Sequence, residues 1–455
     1  MYQKVRSDFE SDLGVTLKVV INAVSAKVGG GATYVSKLLQ HLPVVASDSQ
    51  FLVFLPPETI EEPRGIPKNV VLLPTRVGYG EWWERMWWEQ VTLRRVLQKE
   101  KPDILFSIAN LGMLECPVKQ MLLIQNALYF SRTFQEMFLA KYRFRWKVAF
   151  WLRRWLVCEN VRNADIVMTP TQATLDDMRR FVKVPAVRAL VNPYGQETLA
   201  AQGNPTLDRP GGDRLGESGP VRLLYVSLYL DHKNLTTLLK AMPLLNKKGP
   251  RTFRLITTLD PASELGAWTV TAPTDLALAS RSGIRDSIEV VGLLGHAKAQ
   301  ELYAQADIFV FPSLAESFGF PMVEAMAHGL PIVAADTPVN REICEAAAVY
   351  FSPLDCEDLA AQVDRVATDD SLRNKLRVAG LQRVATCFRW SKHVERILEG
   401  ARQLLAESRR SPPRPSDGGK ADRPSYDHTL PAQAFRHPRC HGTPGGELTT
   451  VKPDS

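Results

Sequence analysis

The sequence predicts an α/β protein made of two doubly wound domains, and three observations lead there. Short apolar runs alternate with stretches of helical periodicity, the pattern of parallel strands joined by crossover helices. At 455 residues the chain is long enough for two sizeable cores. A polar stretch rich in Gly and Pro, 196–219, splits the alternation into two series and has the composition of a linker.

The first series predicts strands at 17–21, 51–55, 70–73, 104–107, 121–124, 166–169 and 187–191. Residues 1–15 are polar and read as a loose lead-in. Gly29, Gly30 and Gly31 read as a loop before a helix over 32–42. Their spacing is not the G-x-G-x-x-G of a dinucleotide site, and no acid ends the second strand at the ribose position. Trp83 and Trp87 share a helix face at i, i+4, which predicts packing against a neighbouring helix, with an acceptor or membrane surface as the other reading. Gln125 and Asn126 follow a strand at its carboxyl end, where open α/β sheets bind ligands; Asn126 can serve a ligand there or cap the loop. Residues 138–157 read as one helix with six cations, interleaved aromatics and no acid. Such a helix suits an anionic membrane surface, or an ordinary surface where cations snorkel over apolar neighbours.

The second series predicts strands at 221–226, 253–257, 288–291, 308–311 and 331–335, and helices at 297–306, 359–366, 372–384 and 390–405. Lys233 stands at a helix entrance with Asn234 as its cap, within reach of a diphosphate. Residues 307–336 carry the densest chemistry. A buried strand leads to a loop with Glu316 and Gly319, then to a helix with Pro321 at its first position and Gly329 as its stop. Unpaired N–H groups and the helix dipole make such a junction an anion site. Glu316 on the loop and Glu324 in the expected first turn do not suit a bare phosphate, and point to sugar hydroxyls. For Glu324 the alternative is a first-turn acid that complements the dipole.

Composition sets bounds. Net charge is +7, of which residues 408–455 supply +3, too mild a balance for a nucleic-acid binder. No run approaches the roughly 20 apolar residues of a membrane span, and the acids Asp8, Glu10 and Asp12 do not suit a secretory leader. The six cysteines have no metal spacing and read as reduced cytoplasmic thiols. Residues 408–455 include eight prolines among 48 and are expected to be disordered.

Glu316-Ser-Phe-Gly-Phe-Pro-Met-Val-Glu324, followed by Ala-Met-Ala-His-Gly-Leu-Pro-Ile-Val-Ala, resembles the signature of the family-4 retaining glycosyltransferases. The likeness extends over about 16–405, with its specific motifs in 221–340. It implies the GT-B fold: Rossmann-like domains at 16–195 (acceptor side) and 220–389 (donor side) across a cleft, with a helix over 390–406 crossing back. The implied substrates are a nucleotide-sugar, GDP-mannose or a UDP-sugar, and a glycan or lipid-linked acceptor of surface or exopolysaccharide synthesis. On that resemblance Lys233 neutralises the leaving diphosphate. Glu316 holds the donor sugar, and Ser317, Phe318, Gly319 and Phe320 surround the phosphates. Glu324 takes the ribose diol, Gly292 the nucleobase, Gly30 and Gly31 lie near the phosphates, and Asn126 lies near the reacting sugar. Many relatives carry an arginine five positions before the lysine; here Leu228 stands there, and His232 is the nearest replacement cation. No Asp-x-Asp pair stands in the right place, so no required metal and no cofactor are expected. A nucleotide-sugar epimerase of the same fold, or a catalytically silent nucleotide-sugar-binding module, are the alternatives.

Overall fold

The computed structural model describes residues 17–27, 29–59, 68–80, 82–108, 110–197, 219–247 and 251–410. The lead-in, nearly all of the expected linker, Cys440 and the tail beyond 410 lie outside the described residues.

The first lobe is a seven-stranded parallel sheet: β1 (Leu17–Asn22), β2 (Ser49–Leu55), β3 (Val70–Pro74), β4 (Ile104–Ser107), β5 (Lys119–Leu123), β6 (Ile166–Thr169) and β7 (Ala189–Val191), in the order β3-β2-β1-β4-β5-β6-β7. Successive strands are added to one side up to β3 and to the other side from β4 on, so the topological switch point lies at the ends of β1 and β4. Val20 lies level with Leu52 and Leu105, and Ile21 with Val53 and Phe106. Alternate residues therefore feed opposite layers, as the period of two requires. α1 (Gly29–Val45) covers the face of Val19, Ile21 and Phe106. The other face takes α2 (Trp82–Trp87), a π-helical turn (Trp88–Leu93) and α3 (Arg94–Glu100). Beyond the short α4 (Arg132–Met137), α5 (Phe144–Asn163) and α6 (Gln172–Arg179) join that same face.

The second lobe is a six-stranded parallel sheet: β8 (Val221–Tyr225), β9 (Phe253–Thr257), β10 (Ile288–Val290), β11 (Ile308–Phe311), β12 (Ile332–Ala335) and β13 (Ala348–Phe351), in the order β10-β9-β8-β11-β12-β13. Its switch point lies between β8 and β11. The helices are α7 (Leu235–Lys247), α8 (Ala272–Ala279), α9 (His296–Gln305), α10 (Phe320–Ala327), α11 (Pro338–Cys344), α12 (Cys356–Thr368) and α13 (Asp370–Cys387). α14 (Trp390–Arg410) crosses back and packs on α1, and its Gly400 faces Leu190, Met121 and Ile166 of the first sheet.

Several expectations need correction. The three glycines are not a loop but the first turn of α1; Gly29 has φ +61 there, and a Cβ on it would come within 3.1 Å of Leu228. Contact with the other lobe thus overrides their poor helix propensity. Residues 138–157 are not one helix. The chain makes a 3-10 turn at Leu139–Lys141, is extended at Tyr142, and starts α5 at Phe144. Trp83 and Trp87 are exposed rather than packed. β13 was not expected, since four residues between a turn and a helix give little periodic signal.

Candidate active site

The lobes meet along two edges. At one, Tyr194 stacks on Phe320 (5.0 Å, 10°) and on Trp390 (6.4 Å, 12°), and meets Phe318 edge-on at 4.8 Å. His393 of α14 bonds the Tyr34 hydroxyl at 3.0 Å and the Pro193 carbonyl at 2.9 Å, while Asn192 donates to the His393 carbonyl at 2.9 Å. Burial pushes the His393 pKa down to about 3, so the ring is neutral and can accept the tyrosine proton. At the other edge Phe134, Phe138 and Leu139 pack on Leu314, the Tyr142 hydroxyl donates to Asp231, and Trp146 meets Trp268 at 5.7 Å.

Between these edges, the loops after β8 and β11 converge at the second switch point. Lys233 Nζ and Glu316 Oε1 are 2.6 Å apart, each side chain 12% exposed. The Tyr225 hydroxyl fixes the Lys233 carbonyl at 2.7 Å. Asn234 is left-handed (φ +55) ahead of α7, its side chain bonding the Thr237 hydroxyl and the Pro312 carbonyl. Gly319 caps α10 with φ +85, a left-handed conformation that strains any residue with a side chain and so favours glycine. Pro321 is the second residue of α10, not its first, and Glu324 lies beyond the first turn, so its role as a dipole-complementing first-turn acid does not apply.

Each anticipated residue has a definite place. Glu324 accepts from the Tyr303 hydroxyl at 2.8 Å and lines a crevice with Thr33, Lys37, Glu197, Phe320 and Trp390, so it faces the first lobe. The Ser317 carbonyl accepts from the hydroxyls of Thr171 (2.8 Å) and Thr174 (3.1 Å), which tie the donor-side loop to the first lobe. Phe318 is buried against Tyr194 and Phe388, so it offers a ligand only its backbone. Gly30 sits against the Phe320 ring, and Gly31 against Ala26 and Gln125. Asn126 caps its own loop, accepting from Leu128 N at 3.0 Å. Gly292 is left-handed (φ +68) after edge strand β10, with open space where a side chain would stand. His232 cannot replace the arginine missing at Leu228: it is buried, and desolvation followed by the Lys233 charge holds its pKa well below the usual value, so it is neutral.

Sequence reasoning missed residues at both switch points. Tyr303 and the pair Thr171 and Thr174 are long-range partners without a local signature, though Thr171 begins a capping pattern. Glu342 of α11 accepts from Gln172 N (2.7 Å) and Ala173 N (2.8 Å), capping α6 across the lobes. In the first lobe Glu89 is buried in the π-helical turn and accepts from Asn22 Nδ2 and Arg85 Nε, both at 2.9 Å. Asn22 Oδ1, Arg85 Nη2 and Ser107 Oγ are buried there without a partner among the described residues. Asn22 and Ser107 end β1 and β4, the switch-point strands. The π turn is the usable signal, since such turns often mark functional sites.

Two Rossmann-like sheets meeting beside the Lys233–Glu316 pair give the chain the two-lobed GT-B architecture. Sucrose-phosphate synthase from Thermosynechococcus elongatus has the same fold (TM-score 0.64, 18% identity, 86% of this chain and 100% of that one). So does WaaG, a glycosyltransferase involved in lipopolysaccharide biosynthesis (TM-score 0.61, 17% identity, 85% and 99%). The chain belongs to the family-4, group 1 glycosyltransferases: residues 28–196 match Glycosyltransferase Family 4 and residues 214–383 match Glycosyl transferases group 1. O-antigen chain mannosyltransferase B of Escherichia coli is 25% identical over 233 residues, which are 51% of this chain and 59% of that relative. The chain thus spans less than two thirds of that relative's length.

Proposed function

We propose that the protein is a retaining hexosyltransferase that takes a sugar from GDP-mannose or a UDP-sugar and gives it to a glycan or lipid-linked acceptor in surface-polysaccharide assembly. The observation that carries this reading is the Lys233–Glu316 contact at the second switch point, beside the start of α10. The O-antigen mannosyltransferase relative favours mannose and a surface glycan.

The donor diphosphate lies against Lys233 and the N–H groups of 317–320, displacing Lys233 from Glu316. Glu316 is then free to accept hydrogen bonds from the donor sugar. Glu324, held by Tyr303, accepts both ribose hydroxyls. As the anomeric C–O bond breaks, its electron pair passes to the diphosphate, where Lys233 and the fixed amides stabilise the growing charge. The acceptor hydroxyl attacks the same face of the ring, and its proton passes to the departing phosphate oxygen. Asn126 and the glycine turn at Gly30 and Gly31 border the reacting sugar, and Gly292 borders the nucleobase. No divalent ion takes part, so EDTA leaves turnover unchanged.

A thermal-shift screen of GDP- and UDP-sugars identifies the donor. Calorimetry with Glu324→Ala then tests the ribose role: loss of a charged hydrogen-bond acceptor raises the donor Kd about 10-fold or more, and an unchanged Kd refutes it. An epimerase would convert the donor without any acceptor, and a silent module would bind it without hydrolysing it.

A further inference from the structure

We infer that both lobes share one lipid-docking face, so that an anionic bilayer binds the closed form of the cleft more tightly than the open form. This goes beyond the transferase reading and rests on it only in taking cleft closure as functional.

In the first lobe α5 is anchored at its end, where Leu156, Val157, Cys158 and Val161 are buried in the sheet face, and at Phe150, which packs on Tyr129 and Phe134. Upstream of Leu156 the helix is largely exposed. Phe144 is 80% exposed, and Trp146, Val148, Trp151, Leu152 and Trp155 are exposed as well. So many bare aromatic and aliphatic side chains on one soluble surface mark a contact site. Lys141, Arg143, Arg145, Lys147, Arg153 and Arg154 lie among them, and none forms an ion pair with a described carboxylate. Arg154 instead lies over the Trp151 ring at 4.1 Å. Cations mixed with tryptophan along the exposed part of a helix suit the headgroup zone of an anionic leaflet, where the charge attracts and the indoles settle at the interface.

The second lobe adds to this face. Trp268 is 63% exposed, Leu265 beside it is also exposed, and the Trp268 ring meets Trp146 edge-on at 5.7 Å. Glu264 is the exposed acid of that loop. The loop is bonded to the catalytic segment. Val270 N and Thr271 N each donate to Asp231 at 2.9 Å, two residues before Lys233, and Asp231 also accepts from the Tyr142 hydroxyl of the first lobe. A bilayer that takes Trp146 and Trp268 together therefore holds the closed arrangement, in which Tyr142, Asp231 and Lys233 stand as described. A ligand that favours one state must shift the equilibrium toward it, and the coupling is reciprocal.

The test uses the full chain, vesicles of phosphatidylglycerol and phosphatidylcholine against phosphatidylcholine alone, and GDP and UDP as probes. The protein sediments with the anionic vesicles only, less so at high salt. Trp268→Ala weakens that binding about fivefold, and Arg145→Gln with Arg153→Gln weakens it further. Whichever nucleotide binds in solution binds about threefold tighter with vesicles present, and Trp268→Ala abolishes that vesicle-dependent gain. If Trp268→Ala sediments like the parent, or vesicles leave nucleotide affinity unaltered, the two-lobe patch is refuted. Self-association through this face that anionic vesicles do not disrupt refutes it too. Failure of both nucleotides to bind in solution refutes the transferase reading instead, and the Trp268→Ala sedimentation still judges the patch.

Discussion

Along the hinge edge, Tyr194, Phe318, Trp390 and His393 are all buried, and Phe320 stacks into the same group. The Tyr34 hydroxyl, the His393 ring and the Asn192 amide nitrogen each have a partner there. Along the outer rim Tyr142 is half-buried, Trp146 and Trp268 are exposed, and Tyr142 supplies a hydrogen bond to Asp231. Both edges rely on aromatic contacts, but most hinge aromatics are buried while the rim indoles are exposed. Parting the hinge would expose a large aromatic cluster and several buried polar groups at once. Parting the rim gives up one hydrogen bond, one indole contact and a small apolar patch around Leu314. The lobes are therefore built to separate at the rim and to pivot at the hinge.

Trp390→Ala should break the hinge most severely. A buried indole removed from a packed core costs about 3–5 kcal/mol, which urea unfolding would register as a lower midpoint. If the cost is under about 1 kcal/mol, the hinge is no more firmly built than the rim. Lys233→Ala leaves both edges in place and strikes the site between them. Turnover should fall about 100- to 1,000-fold, as on loss of one fixed donor to a growing negative charge, with an unchanged melting temperature as the control.

The buried histidines give each edge a pH signature. His393 at the hinge and His232 behind the rim are held neutral by burial, with folded pKa values below the unfolded value. The unfolded chain therefore binds more protons below about pH 6.5, so their contribution to stability is complete above that pH and is lost as pH falls. For His393 the loss continues down to its folded pKa of about 3. Each histidine should contribute a slope of about 1.4 kcal/mol per pH unit within its window. His393→Gln should flatten the pH dependence of unfolding between pH 6 and 4, whatever it does to stability at neutral pH. The smallest effect belongs to Tyr142→Phe, which removes the rim hydrogen bond at about 1 kcal/mol. It should raise the donor Kd severalfold and leave the unfolding midpoint nearly unmoved. A loss as large as that of Trp390→Ala would mean that the rim is as permanent as the hinge.

The legible parts of this molecule are those with local causes. Ile308–Phe311 reads as a strand because four apolar residues in a row suit a strand buried on both faces. The path from strand through Glu316 and Gly319 to α10 is legible because turn chemistry and helix starts are written over neighbouring residues. Contacts between distant residues were not legible. Nothing near Glu324 announces Tyr303, nothing near Ser317 announces Thr171 and Thr174, and nothing in 138–157 shows that the chain straightens at Tyr142 to reach Asp231. The exposure of Trp83 and Trp87 was misread for a related reason, since a helical stripe tells which residues share a face but not what that face meets.

Periodicity was enough to predict two parallel sheets, because each strand's pattern lies within a few residues, and the stretch from Glu316 to Glu324 carried a resemblance to a glycosyltransferase family. Three features followed only from tertiary packing. Lys233 meets Glu316, His232 is stripped of its charge by burial, and Trp146 meets Trp268 across the rim. Each depends on solvent exclusion or contact between segments more than 80 residues apart, or on which groups the closed lobes cover, and no local pattern encodes those.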